Sequence, residues 1–302
     1  MTNALPAAER ATATRRGTLG VRPADLVELG KPRITALVVL TTALGLWLAP
    51  GSLGGWRAGT FLLATALLVA SANTLNCWVE RETDGRMLRT MNRALPGGRL
   101  DPVAALAWGL AVGAVALGLL SWTTNTLTLA LGAGALFSYV LLYTPLKRVG
   151  WWALLVGAVP GAIPPLMGWT AVTGRLTAGG LALFGILFFW QLPHFIAISL
   201  YLKDDYRRGG LRVLPLVHGD AAARRHLFAY TLLLVAVSLT LRPLGLAGAP
   251  YVAAAAVLGA GFLGLAASGL RPAAGAAWAR RAFAYSLVYL PLLIGALVLD
   301  AR

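Results

Sequence analysis

Long apolar runs alternate with short polar blocks along nearly the whole chain. Runs close to bilayer length cover about 34–50, 56–79, 102–122, 124–143, 151–173, 179–202, 227–245, 250–270 and 282–299. A helix rising about 1.5 Å per residue needs roughly 20 residues to cross ~30 Å of hydrocarbon, so the pattern predicts nine transmembrane helices. Gly157, Pro160, Gly161, Pro164 and Pro165 inside the fifth run suit membrane helices that pack closely or bend. The expected fold is all-α and polytopic, one transmembrane domain over 25–302 preceded by a polar tail over 1–24. That tail holds Arg10, Arg15, Arg16 and Arg22 but no apolar core, which excludes a cleaved secretory signal. Glu9 and Asp25 count against an organellar transit peptide, leaving a flexible cytoplasmic tail as the expectation.

Composition agrees with a membrane protein. The chain is 58% hydrophobic and 12% charged, whereas a soluble domain carries about 25% charged residues. The single cysteine, Cys77, excludes an internal disulfide, and no Cys/His cluster offers a zinc site. A net charge of +15 could serve nucleic acid, but the basic residues lie mostly in short loops, so the lipid bilayer and not nucleic acid is the expected partner. Of the 26 Lys and Arg, only Arg57, Arg175, Arg242 and Arg302 fall on the side opposite the N-terminus when loops are assigned alternately. Basic loops stay inside, which predicts a cytoplasmic N-terminus and a periplasmic C-terminus in the inner membrane.

The acids are few and clustered. Of eleven, Glu80, Glu82 and Asp84 end the second run, and Asp204 and Asp205 end the sixth. At about 100° per residue Asn76, Glu80 and Asp84 lie within roughly 80° of one another, so one helix face carries three oxygen-bearing side chains if the helix continues that far. Carboxylates so placed, beside the second acidic pair, suit Mg²⁺, which is commonly held by one or two carboxylates plus substrate phosphates. Arg81, Arg89, Arg93, Arg99, Lys147, Arg148 and Lys203 stand alongside and suit the phosphate oxygens themselves. Together they describe a diphosphate site at the cytoplasmic end of the bundle; the competing reading is that these charges pair with each other and anchor helices. His194 lies inside the sixth run, where ionisable groups tend to be functional. An imidazole there can bond a neighbouring helix or ligate haem iron, and both readings stay open. His218 and His226 fall in or near the long basic loop.

Asn76-xxx-Glu80-xxx-Asp84, Tyr143-Thr-Pro-Leu-Lys147-Arg148 and Asp204-Asp205-Tyr206 resemble the motifs of the UbiA-type intramembrane prenyltransferases. Further blocks resemble the branch of that family that farnesylates haem: Lys31-Pro32-Arg33-Ile34-Thr35, the run from Asn76 to Arg93, Gly98-Arg99-Leu100, Pro160 to Trp169, Trp190-Gln-Leu-Pro193-His194-Phe195, and Asp205 to Pro215. They extend in order from about residue 30 to 220. The resemblance implies nine helices around a central cavity, and transfer of a farnesyl group from farnesyl diphosphate to a vinyl group of haem B with addition of water. It implies Mg²⁺ on Glu80, Asp84, Asp204 and Asp205, with Asn76 beside them, and diphosphate on Arg33, Arg89, Arg93, Lys147, Arg148 and Lys203. It further implies haem at His194, and haem A synthase or oxidase assembly factors as partners. Glu80 and Glu82 stand where relatives carry Asp, Ala94 where Pro is usual and Ala153 where Asn is frequent; the last puts a secondary polar contact in doubt. Two rivals remain, a quinone precursor as the prenyl acceptor and a secondary transporter. Acids at one membrane face, not at mid-depth, speak against the transporter.

Overall fold

The computed structural model describes residues 22–300, so most of the tail expected over 1–24 lies outside the described residues. Every described element is helical. Helix α1 (Pro23–Leu29) and helix α2 (Pro32–Leu48) form a pair bent by 51° at Gly30 and Lys31. Then follow α3 (Gly55–Asp84), α4 (Pro102–Thr123), α5 (Thr126–Leu146) and α6 (Ala153–Thr173). The chain continues through α7 (Ala178–Tyr201), the short α8 (Lys203–Arg208) and α9 (Leu214–Val217), and then α10 (Gly219–Leu239), α11 (Ala249–Ser268) and α12 (Ala276–Asp300). Eight of these are long and apolar enough to cross a membrane, and nine spans result if the bent pair is one. The protein is an all-helical, multi-pass membrane protein.

The boundaries of α10 depart most from expectation, for local reasons. Helix α10 begins at Gly219, well before 227, because Asp220 in its first turn and the Ala221–Ala223 run favour helix already there. It ends at Leu239, before 245, and Pro243 forbids a smooth continuation. Helix α3, by contrast, continues unbroken past residue 79 to Asp84 and carries its polar stripe with it.

Small residues set the packing. A Cβ at Gly45 would sit 2.0 Å from the Pro165 carbonyl oxygen, and one at Gly168 would sit 2.1 Å from that of Thr42, so α2 and α6 touch backbone to backbone. Helix α4 approaches α3 closely at Gly109, whose carbonyl accepts a 2.7 Å bond from the Ser71 hydroxyl. Buried apolar side chains of α3, α4, α5 and α6 form one core, among them Phe61, Ala116, Leu136 and Met167. A second core joins α2, α6, α7, α10, α11 and α12. Large side chains such as Leu40, Leu141 and Val257 remain exposed, as lipid contact requires.

Candidate active site

The α3 terminus, the loop after it, the α5–α6 connection and α8 meet at one end of the bundle. Arg148 reaches back to the Thr83 hydroxyl. The Arg212 amide donates to the Lys147 carbonyl at 3.0 Å, and the Leu88 amide to Asp205 Oδ1 at 2.8 Å.

On α3, Asn76, Glu80 and Asp84 are all buried on one face. Lys147 Nζ donates to Glu80 Oε1 and Oε2 at 2.9 and 3.1 Å, and Asn76 Nδ2 donates to Oε2 at 2.9 Å. The Asn76 carboxamide also donates to Thr144 Oγ1 and accepts from Lys31 Nζ, each at 3.1 Å. Arg93 holds Asp84 Oδ2 at 3.1 Å. Three cations thus converge on one polar wall.

Helix α5 delivers Lys147 by an irregular route. Its last turns widen into a π-helix over Ser138–Tyr143 just before Pro145, which has no N–H to give. The Thr144 hydroxyl donates to the Tyr139 carbonyl at 2.7 Å inside that turn. Lys147 Nζ then lies 4.4 Å above the Tyr143 ring. Burial works against the Lys147 ammonium, but Tyr143 and Glu80 beside it prevail and hold its pKa above the ordinary lysine value. Burial pushes the Tyr206 phenol on α8 upward as well.

Helix α7 stops at Tyr201, so Asp204 and Asp205 stand on the separate α8 and face opposite ways. The Asp205 side chain is 9% exposed; besides its bond from Leu88 it lies 3.6 Å from Arg208, while its Oδ2 is buried without a partner. The Asp204 side chain is 78% exposed and pairs with Arg207. Lys203 turns away to Asp220 Oδ1 at 2.6 Å. Arg33 and Arg89 are exposed, Arg89 close enough to Tyr206 to favour its ionised form. Of the residues singled out in the sequence, the fold therefore joins Asn76, Glu80, Asp84, Arg93 and Lys147 directly, sets Arg148 and Asp205 next to them, and directs Asp204, Lys203 and Arg33 elsewhere.

Lys31, Tyr143 and Thr144 belong to the site although the residue-type reading passed over them. Lys31 was legible in part: it precedes Pro32, and a residue before proline is driven out of the right-handed helical region. Here it adopts φ 49°, which swings its ammonium onto α3, while Arg33 in the first turn of α2 points out.

His194 lies on α7 against α12, stacked on Trp190 at 4.9 Å and 4.8 Å from Phe283. Its Nδ1 is 2.8 Å from Ser286 Oγ. The one proton of that hydroxyl goes to the Phe283 carbonyl at 2.6 Å, so Nδ1 carries the hydrogen and Nε2 keeps its lone pair.

The donor set can be tested for a divalent cation. Among the described residues no three His, Cys, Asp or Glu side chains stand close enough to cage one. Two carboxylate-bearing walls with an unpartnered buried oxygen on Asp205 do fit the mode Mg²⁺ prefers, a few carboxylates completed by substrate phosphate.

A helical membrane bundle with a buried polar site at one end is the setting of an intramembrane enzyme, and the family comparison gives its class: residues 38–288 match the UbiA prenyltransferase family, to which the chain belongs. It is an enzyme of the prenyltransferase class. The chain is 55% identical over 276 residues to a protoheme IX farnesyltransferase of Anaeromyxobacter dehalogenans (strain 2CP-C), covering 91% of this chain and 93% of that relative. Its fold matches a solved digeranylgeranylglyceryl phosphate synthase with TM-score 0.78 at 15% identity, over 92% of this chain and 97% of the other. A UbiA homologue from Archaeoglobus fulgidus solved with GPP and Mg²⁺ matches with TM-score 0.64 at 15% identity, over 91% and 99%.

Proposed function

We propose that this protein transfers the farnesyl group of farnesyl diphosphate to a vinyl group of haem B, with water added, giving haem O. The observation that carries the reading is the Glu80–Asp84 face of α3 met by Lys31, Arg93 and Lys147, in a chain 55% identical to a protoheme IX farnesyltransferase. Breaking the allylic C–O bond leaves an electron pair, and so negative charge, on the departing diphosphate. Phosphate oxygens entering the site compete with Asn76, Asp84 and Glu80 for the N–H donors of Lys31, Arg93 and Lys147, which then stabilise that charge as it develops. One or two of the Glu80, Asp84 and Asp205 carboxylates would hold Mg²⁺ together with the diphosphate oxygens, and the ion would supply Lewis-acid neutralisation of the same charge. Asp204 joins this set only by leaving Arg207. The vinyl π electrons form the new C–C bond to the allylic carbon; the resulting cation takes water and releases a proton. The bundle keeps bulk water from both cations.

His194, with the Nε2 lone pair free, holds the haem through its iron in this reading. The site faces the cytoplasm from the inner membrane, where the basic loops lie, and haem A synthase or oxidase assembly factors receive the product. The decisive experiment incubates purified protein with haem B, farnesyl diphosphate and Mg²⁺ and reads the product by mass. Haem O is the expected product; prenylation of a quinone precursor with haem untouched overturns the proposal.

A further inference from the structure

We propose that Arg99 is a positioning residue that fastens α1 over the α3–α4 loop, so that Lys31 and Arg93 are presented together to the polar face of α3. The proposal rests on the diphosphate reading above. The guanidinium of Arg99 bridges two segments far apart in sequence. Its Nε donates to Asp25 Oδ1 at 3.2 Å and one Nη to Glu28 Oε2 at 2.9 Å, both on α1. The other Nη donates to the Asn92 carbonyl at 2.6 Å, in the loop.

Each end of that bridge adjoins a site cation. Asn92 immediately precedes Arg93, which holds Asp84. Glu28 lies three residues before Lys31, which holds Asn76. An apolar layer lies beneath: Leu29 and the flanking Leu26 of α1 pack with Cys77 of α3 and with Ala94, Leu95 and Leu100 of the loop. The left-handed backbone at Lys31 is uncommon for a residue with a side chain and persists only where its surroundings hold it. Two contacts at Gly30 anchor it, for its carbonyl accepts from Asn73 Nδ2 at 3.3 Å and from Thr35 Oγ1 at 2.8 Å. Arg99 is the polar tie joining this anchored hinge to the loop. A lysine there keeps the charge but cannot reach three acceptors at once.

In purified full-length protein, Arg99→Ala is expected to raise the KM for farnesyl diphosphate about tenfold, equivalent to the loss of one charge-assisted bond. The KM for haem B should stay within about twofold, because Arg99 touches nothing on α7 or α12. Arg99→Lys should recover part of the loss, and Glu28→Gln, a half-exposed change that spares the apolar layer, should raise the same KM by about threefold. Trypsin should cut the loop at Arg86 or Arg89 faster in Arg99→Ala than in wild type. An unchanged KM in both Arg99→Ala and Glu28→Gln overturns the proposal, as does an unchanged cleavage rate, which needs no turnover to read. Wild-type protein that neither binds nor consumes farnesyl diphosphate overturns the functional reading instead, while the cleavage arm still decides the strap.

Discussion

Glu80 carries three hydrogen bonds, and its charge neutralises an ammonium sunk into the bundle end. Because the Lys147 pKa is raised on folding, the pair contributes its full stability below the ordinary lysine value and loses it only as pH climbs through the raised one. Between about pH 6 and 9 the contact is therefore intact, and any pH dependence of turnover there belongs to other groups. Glu80→Gln keeps the shape but leaves Lys147 without its counter-charge. We expect turnover to fall at least about a hundredfold, with a stability loss of only ~1–3 kcal/mol in chemical denaturation. Asp84→Asn should behave alike, and EDTA should stop the wild type; near-normal activity in either variant would remove the carboxylates from the mechanism. His194→Ala separates two roles. A haem contact predicts a weaker Soret titration with farnesyl diphosphate affinity unchanged, whereas a packing residue bonded to Ser286 predicts a lower melting temperature and intact affinities. The first outcome is expected, since Nε2 is left free by the Ser286 bond. The acidic face was legible because period and residue type coincide at Asn76, Glu80 and Asp84. The fold sets the Lys31 ammonium on Asn76 and leaves Arg33 exposed, a distinction the sequence does not carry because residue type holds no backbone angle.

At the level of elements, the apolar runs marked the long helices well, but not where a helix would deform. The π-turn of α5 has only Thr144-Pro145 as its sequence sign, and the break between α7 and α8 has none that residue type reveals, so the sequence does not show that Asp205 is buried while Asp204 is exposed. Glycines now acquire distinct roles. An added Cβ at Gly45 or Gly168 meets neighbouring backbone, which cannot step aside. Either change to Ala should cost about 1–3 kcal/mol or more through separation of α2 from α6, read as a lower melting temperature in detergent. At Gly157 the same atom would sit 2.3 Å from the Tyr143 ring, which can turn. Gly157→Ala should therefore melt close to wild type while turnover falls, because the ring under Lys147 moves. Equal melting losses at all three positions would refute that distinction.

For the whole molecule, orientation depends on whether the bent pair counts as one crossing. Helix α2 has 17 residues, about 26 Å at the standard rise and short of ~30 Å of hydrocarbon. Its contacts with α6 nevertheless fall at Gly45 against Pro165 and Thr42 against Gly168, beyond the middle of a helix that spans 153–173, so α2 reaches well across the bundle. Helix α1 is bent away by 51° and tied by Arg99 to the α3–α4 loop, and its seven residues would supply the missing length if the pair is one crossing. We propose that the bent pair is one crossing: nine spans would then place the two termini on opposite sides, and the positive-inside rule predicts that the side poor in Lys and Arg is the outer one. Reporters should accordingly read cytoplasmic at the N-terminus and at the exposed Gly210, which stands before α10 begins, and periplasmic after Arg302. Both termini on one side would mean that the bent pair enters and leaves by the same face, giving eight spans. A periplasmic signal at Gly210 would invert the whole assignment and put the carboxylate site on the far side from the soluble diphosphate pool.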